Sequence, residues 1–152
     1  KKVMKQVLIL LIVTIGVLTG ACHETTVGYL ITKNASYNPD TMYIRKTPDP
    51  ILDAIRIENK APWVSLQLQG YEGTEIMYFY IESVRYEEET PTTAGAEAAQ
   101  NFMKDLSIRS GGVMLYPFEN DALPGTYKVS IRITNSGYSH VLQDAMTIIV
   151  TE

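Results

Sequence analysis

The sequence predicts a mostly β domain, an antiparallel sandwich carrying one short helix, and three observations lead there. After residue 40 most segments alternate apolar and polar residues at period two, the pattern of half-buried strands. One stretch from Thr93 to Leu106 departs from it, with Ala94, Ala98, Ala99, Phe102, Met103 and Leu106 at helical spacing. Before the longest alternating run stands Pro124-Gly125, a turn pair that lets a strand enter from a sharp corner.

The elements follow in order. Residues 23–41 are polar and turn-rich, with Asn34, Asn38-Pro39 and Asp40 as breakers, and read as a tether leading to a first strand. Met42 and Ile44 alternate with Tyr43 and Arg45 until Thr47-Pro48-Asp49-Pro50. Ile55 and Ile57 against Arg56 and Glu58 then suggest a second strand. In Trp63 to Gln69 the apolar set is Val64, Leu66 and Leu68, and a hairpin to Ile76–Val84 would pair Leu68 with Met77, Leu66 with Phe79 and Val64 with Ile81. That register places Trp63, Tyr78 and Tyr80 on the opposite, outer face.

Glu87-Glu88-Glu89-Thr90-Pro91 ends the run, and Thr92 or Thr93 caps the helix that follows. Phe102 and Met103 are expected as core plugs. Strands are expected at Val113–Tyr116 after Gly111-Gly112, at Thr126–Thr134 with Tyr127, Val129, Ile131 and Ile133 inward, and at Gln143–Thr151.

The segment Leu123-Pro124-Gly125-Thr126-Tyr127-Lys128-Val129-Ser130-Ile131 resembles the penultimate strand of immunoglobulin-like and cadherin-like sandwiches. Leu106-Ser107-Ile108, Gly111-Gly112-Val113-Met114 and Leu123–Thr134 extend that resemblance backward in the cadherin-like order of strand, glycine turn, strand, corner and long strand. The resemblance implies that the Tyr127 ring fills the core edge while its hydroxyl bonds back to the corner backbone. Glu119-Asn120-Asp121 does not reproduce a cadherin calcium motif and reads as a turn.

The first 22 residues give an address. Lys1, Lys2 and Lys5 precede an uncharged apolar run from Val7 to Leu18, then Thr19-Gly20-Ala21-Cys22. A basic segment, a short apolar stretch and small residues before a cleavage point are the parts of a secretory signal, and the run falls short of the roughly 20 residues of a membrane-spanning helix. This resembles the bacterial lipoprotein lipobox, with Thr19 three before the cysteine and Leu18 four before it. The resemblance implies cleavage before Cys22 and lipid on its sulfur. The expected organisation is residues 1–21 as signal peptide, 22–40 as lipidated tether and 41–152 as the immunoglobulin-like sandwich.

Charge and composition exclude other classes. Residues 1–21 hold three of the thirteen basic residues and no acid, so the remaining 131 residues set ten basic residues against seventeen acids, a net of −7. Nucleic acid is excluded as a partner, because phosphate binding needs a basic patch. A single cysteine excludes an internal disulfide. Fourteen aromatic residues, ten of them tyrosine, must supply much of the packing.

No catalytic set is visible and no cofactor is expected beyond the lipid on Cys22. The two histidines are His23, beside Cys22, and His140, expected in the loop between the last two strands. Ser139 and Asp144 flank it, yet there is no Gly-x-Ser-x-Gly elbow, no clustered set of zinc ligands and no Gly-rich phosphate loop ending in Lys-Ser or Lys-Thr.

Leader plus one small sandwich resembles the small surface lipoproteins of Bacteroidetes that accompany SusC/SusD-type TonB-dependent nutrient importers. It implies a lipid-anchored accessory subunit at the cell surface of the outer membrane, working beside SusC/SusD-like proteins that import oligopeptides or glycans. The alternative is a stand-alone glycan-binding or adhesion lipoprotein. Trp63, Tyr78 and Tyr80 on the outer face are the candidate contacts with partner or ligand, with helix cover as the bland alternative. Tyr138, at the Asn135-Ser136-Gly137 turn, is the candidate loop-tip contact.

Overall fold

The computed structural model describes residues 3–6, 28–88 and 92–152. Strands β1 (Leu30–Ile31), β2 (Thr41–Arg45), β3 (Trp63–Val64), β4 (Glu72–Gly73), β5 (Tyr78–Tyr86), β6 (Ser107–Ile108), β7 (Met114–Tyr116), β8 (Gly125–Asn135) and β9 (Tyr138–Thr151) build it, with helices α1 (Ala54–Asn59) and α2 (Thr93–Asp105). A four-stranded sheet in the order β2-β9-β8-β5 faces a three-stranded sheet β3-β7-β6, and β1 pairs with β4. All pairings are antiparallel except β2 on β9, which runs parallel from Thr41 opposite Thr147 to Arg45 opposite Thr151. This is the β-sandwich with a short helix that the alternation predicts.

The core lies between the two sheets. Ile44, Val129, Ile131, Ile133, Met146, Ile148 and Val150 come from the larger sheet and Trp63, Leu68, Met114 and Tyr116 from the opposite side, all buried. Helix α2 starts where the Thr92 hydroxyl accepts from the Gly95 amide at 3.0 Å and buries Ala98, Ala99 and Phe102. Phe102 stacks between Tyr116 and Tyr127, with ring centroids at 4.2 and 4.0 Å, so the helix seals the interior. Met103, expected as a second plug, is instead exposed at 36% and lies outside the core.

The corner forms as the resemblance implies. Tyr127 is fully buried and its hydroxyl donates to the Leu123 carbonyl at 2.8 Å. Tyr86 donates to the Pro124 carbonyl at 2.7 Å, and its ring occupies the space that a Cβ on Gly125 would need, so only glycine fits there.

Four expectations need correction. Ile55 and Ile57 lie on helix α1, not on a strand: the Asp49 carboxylate accepts from the Ile51 and Leu52 amides and winds the chain into a turn, while Asp53, its side chain 2% exposed, is gripped by Arg45 at 3.1 Å and Arg56 at 2.9 Å. Local hydrogen bonding by two aspartates thus overrides a four-residue alternation. The 63–84 hairpin does not form either. Trp63 pairs with Tyr116 and Val64 with Leu115, whereas β5 pairs with β8 from Tyr78 opposite Thr134 to Tyr86 opposite Tyr127.

The inward set of 63–66 is consequently reversed. Trp63 and Ser65 are buried while Val64 and Leu66 are 48% and 56% exposed. Pairing of β3 with β7 turns the Trp63 indole inward and leaves Val64 and Leu66 outside. Ser65 is admissible inside because its hydroxyl donates to the Leu66 carbonyl and accepts from the Met114 amide.

The boundary at Thr41 also moves. Leu30 and Tyr37 are buried in the core, so the folded unit includes residues expected in the tether. Finally, β9 begins at Tyr138 and so includes His140, both expected in or beside a loop.

Candidate functional site

Alternation along β5 sends Phe79 and Ile81 toward the core and leaves Tyr78 and Tyr80 outward, 54% and 51% exposed. Because α2 packs through Ala98, Ala99 and Phe102 against the interior, it leaves these two rings uncovered, and the helix-cover alternative falls. Residues two apart on a strand stand about 7 Å apart, so the rings form a short platform. Across the strand pair, Tyr80 lies opposite Arg132 and Tyr78 opposite Thr134.

Arg132 is fixed in place. Its guanidinium makes a two-pronged contact with Glu82, Nε to Oε2 at 2.7 Å and Nη2 to Oε1 at 2.5 Å, and Nη1 donates to the Ser139 hydroxyl at 2.9 Å. The hydrogen bond from Arg132 holds the Glu82 carboxyl below the usual carboxylate range, and the same contact raises the Arg132 guanidinium. Beside the tyrosines lies a small depression of about 210 Å³ lined by Met77, Tyr78, Tyr80, Arg109 and Ser110 among others. Two half-exposed rings, a guanidinium–carboxylate pair and a shallow hollow thus share one face.

The other candidates separate from this face. Trp63 is on β3, in the opposite sheet, 4% exposed, with the Arg56 guanidinium carbon 4.1 Å from its ring centroid and its Nε1 without a hydrogen-bond partner. It is a core residue and shares no surface with Tyr78 and Tyr80. Tyr138 is no projecting loop tip: it is half-buried against the core, opposite Asn135, which ties the turn down by donating to the Tyr29 and Thr74 carbonyls at 2.8 Å. Cys22 and His23 lie outside the described residues.

Ser139, His140 and Asp144 point to separate partners. Ser139 accepts from Arg132, His140 Nδ1 sits 2.9 Å from the Thr32 hydroxyl, and Asp144 takes Arg85 at 2.7 Å. Among the described residues no three His, Cys, Asp or Glu side chains gather in a metal-binding group. Asn120 builds the expected turn at 119–121, its amide donating to the Pro117 and Phe118 carbonyls.

Sequence reasoning missed Arg132 and Glu82. Their alternation on β8 and β5 was readable, but joining them requires the β5–β8 register, and that register includes a bulge between Ile81 and Ser83.

No protein-family model matches the chain, and no curated protein matches it. Among solved structures the chain is similar to a SusE-like surface located polysaccharide binding protein from the Bacteroides thetaiotaomicron heparin utilisation locus, with 13% sequence identity and a TM-score of 0.45. The match covers 82% of this chain and 16% of that one, so the chain spans less than a fifth of its length.

Proposed function

We propose that the chain is a non-catalytic, lipid-anchored accessory subunit of an outer-membrane SusC/SusD-type nutrient-uptake complex, docking through the face of Tyr78 and Tyr80. The observation that carries this reading is the pair of half-exposed rings on β5, left uncovered by helix α2. A large aromatic ring buries on the order of 150–250 Å² in full, and with about half of each ring still exposed the two together supply about 150–250 Å² of the roughly 800 Å² per partner in a standard interface. Tyrosine and arginine are the side chains that most often dominate such interfaces, and Arg132 stands directly across from Tyr80.

The anchor in this proposal is lipid on Cys22, delivered by the basic and apolar leader, and the location is the cell surface of the outer membrane. Acyl chains bury many methylenes together and hold a protein firmly on a bilayer. Purification from native membranes with no tag on this chain tests the assignment. Stoichiometric copurification with a large outer-membrane barrel supports it; recovery of the lipoprotein alone, in mild detergent, contradicts it.

One observation favours a second reading, a stand-alone surface glycan binder. Adjacent rings beside a fixed guanidinium–carboxylate pair offer stacking for sugar faces and hydrogen bonds for hydroxyls. Retention of the pure protein on immobilised glycan, lost on Tyr80→Ala, supports that reading over docking.

A further inference from the structure

A cleft of about 620 Å³ opens between α2 and the far half of the larger sheet, on a different stretch of β5 from the two exposed tyrosines. Three strands lose their regular register beside it. β5 carries an extra residue between Ile81 and Ser83, and β8 and β9 shift between Val129 and Ile131, where β9 bulges through Gln143, Asp144 and Ala145. Asp144 sits in the left-handed region at φ 46, a conformation that non-glycine residues adopt rarely and that concentrates at functional sites. Ser130, 3% exposed, holds the bulge by donating to the Gln143 side chain and accepting from the Asp144 amide. This bend brings Gln143 and Asp144 to the cleft.

The walls differ in chemistry. Helix α2 contributes Ala96, Ala99 and the half-exposed Met103, an apolar wall continued by Val84. Across from it Arg85 and Asp144 stand together, Nη2 to Oδ2 at 2.7 Å, with side chains 59% and 47% exposed. An exposed pair of this kind contributes little to stability, so exchanging it for a ligand's charges costs little. A pocket of this volume, with an apolar wall and a few convergent polar groups, has the general form of a small-ligand site.

We propose that this cleft binds a free α-amino acid bearing an apolar side chain. The complement of a guanidinium beside a carboxylate is a molecule that carries ammonium and carboxylate close together. The ammonium goes to Asp144, the carboxylate to Arg85, and the side chain lies against Ala99 and Met103. The site stands apart from the docking face, so either proposal can fail with the other intact.

Isothermal titration of the full chain with leucine, leucinamide, N-acetylleucine and dileucine tests it, with maltose as a sugar control. Leucine binds, and removing either charge weakens binding by about tenfold or more, the scale of a lost charge-assisted hydrogen bond. Leucinamide then loses the contact to Arg85 and N-acetylleucine the contact to Asp144. Dileucine, whose two charges stand on different residues, should bind more weakly than leucine, and tighter binding of dileucine would overturn the assignment. Asp144→Asn, which tolerates the left-handed backbone, and Arg85→Gln should each reproduce the loss while the thermal midpoint holds. Absence of heat with every amino-acid probe, binding unchanged in both folded variants, or binding of maltose alone would overturn the assignment.

Discussion

Removing the Tyr127 ring tests the packing of the sandwich more severely than any other single change. The ring is fully buried, lies 4.0 Å from Phe102 centroid to centroid and meets Tyr86 edge-on at 5.0 Å, while its hydroxyl holds the Leu123 carbonyl. Truncating a buried aromatic costs about 3–5 kcal/mol. The hydroxyl's own part is about 1 kcal/mol, the net value of one hydrogen bond. Tyr127→Ala should therefore cost about 4 kcal/mol and Tyr127→Phe about 1 kcal/mol. Tyr43, on the outer face of β2 at 54% exposure, is the control, and Tyr43→Ala should stay within about 0.5 kcal/mol. In urea, with a slope of about 2 kcal/mol per molar, the alanine variant should lose about 2 M in its midpoint. Equal small losses for Tyr127→Ala and Tyr43→Ala would refute the placement of the corner in the core.

Other expectations follow from individual contacts. Asp53→Ala strips the buried carboxylate from between Arg45 and Arg56 and should cost about 2 kcal/mol in the same urea assay, because both arginines retain access to water. Burial, with the neighbouring Tyr86 phenol adding to it, pushes the Tyr127 hydroxyl up to about 12, so the folded state favours the neutral phenol; its stabilising share is complete below pH about 10 and is lost as pH rises toward 12. Burial likewise raises Tyr37 and Tyr116, and ultraviolet difference titration should show these phenols ionising only with unfolding. Glu82 is held low by Arg132, so the contact is intact above pH about 4.3 and is lost as pH falls through the depressed value; Arg132→Gln should abolish that acid-side difference in a carboxyl-resolved NMR titration. Mass spectrometry of the mature protein should find lipid on Cys22, and an unmodified cysteine would remove the anchor.

The sandwich was legible in the sequence because its long strands keep alternation over most of their length and its corner carries a specific motif. Helix α2 was legible to within a residue at its capped end, Thr92. What escaped were elements decided at a distance. A two-residue strand such as β3 has no alternation of its own to read, and the choice between pairing with β5 or with β7 rests on where the Trp63 ring finds space. Leu30 and Tyr37 looked like tether because the breakers Asn34, Asn38-Pro39 and Asp40 interrupt any periodic pattern around them. For the candidate site, the outward placement of Tyr78 and Tyr80 was readable from period two alone. The Arg132–Glu82 pair and the bulged cleft near Asp144 depend on irregular register, which period counting does not register.

The central claim is that Tyr78 and Tyr80 form the face by which this protein engages a larger surface assembly. Tyr78→Glu combined with Tyr80→Glu places two charges on that face while leaving Phe79 and Ile81 in the core, so circular dichroism and the urea midpoint should match the parent. Copurification with the outer-membrane complex from native membranes should fall about tenfold or more, as expected when buried aromatic anchors become charges. A variant that folds as the parent and still assembles in full would contradict the claim.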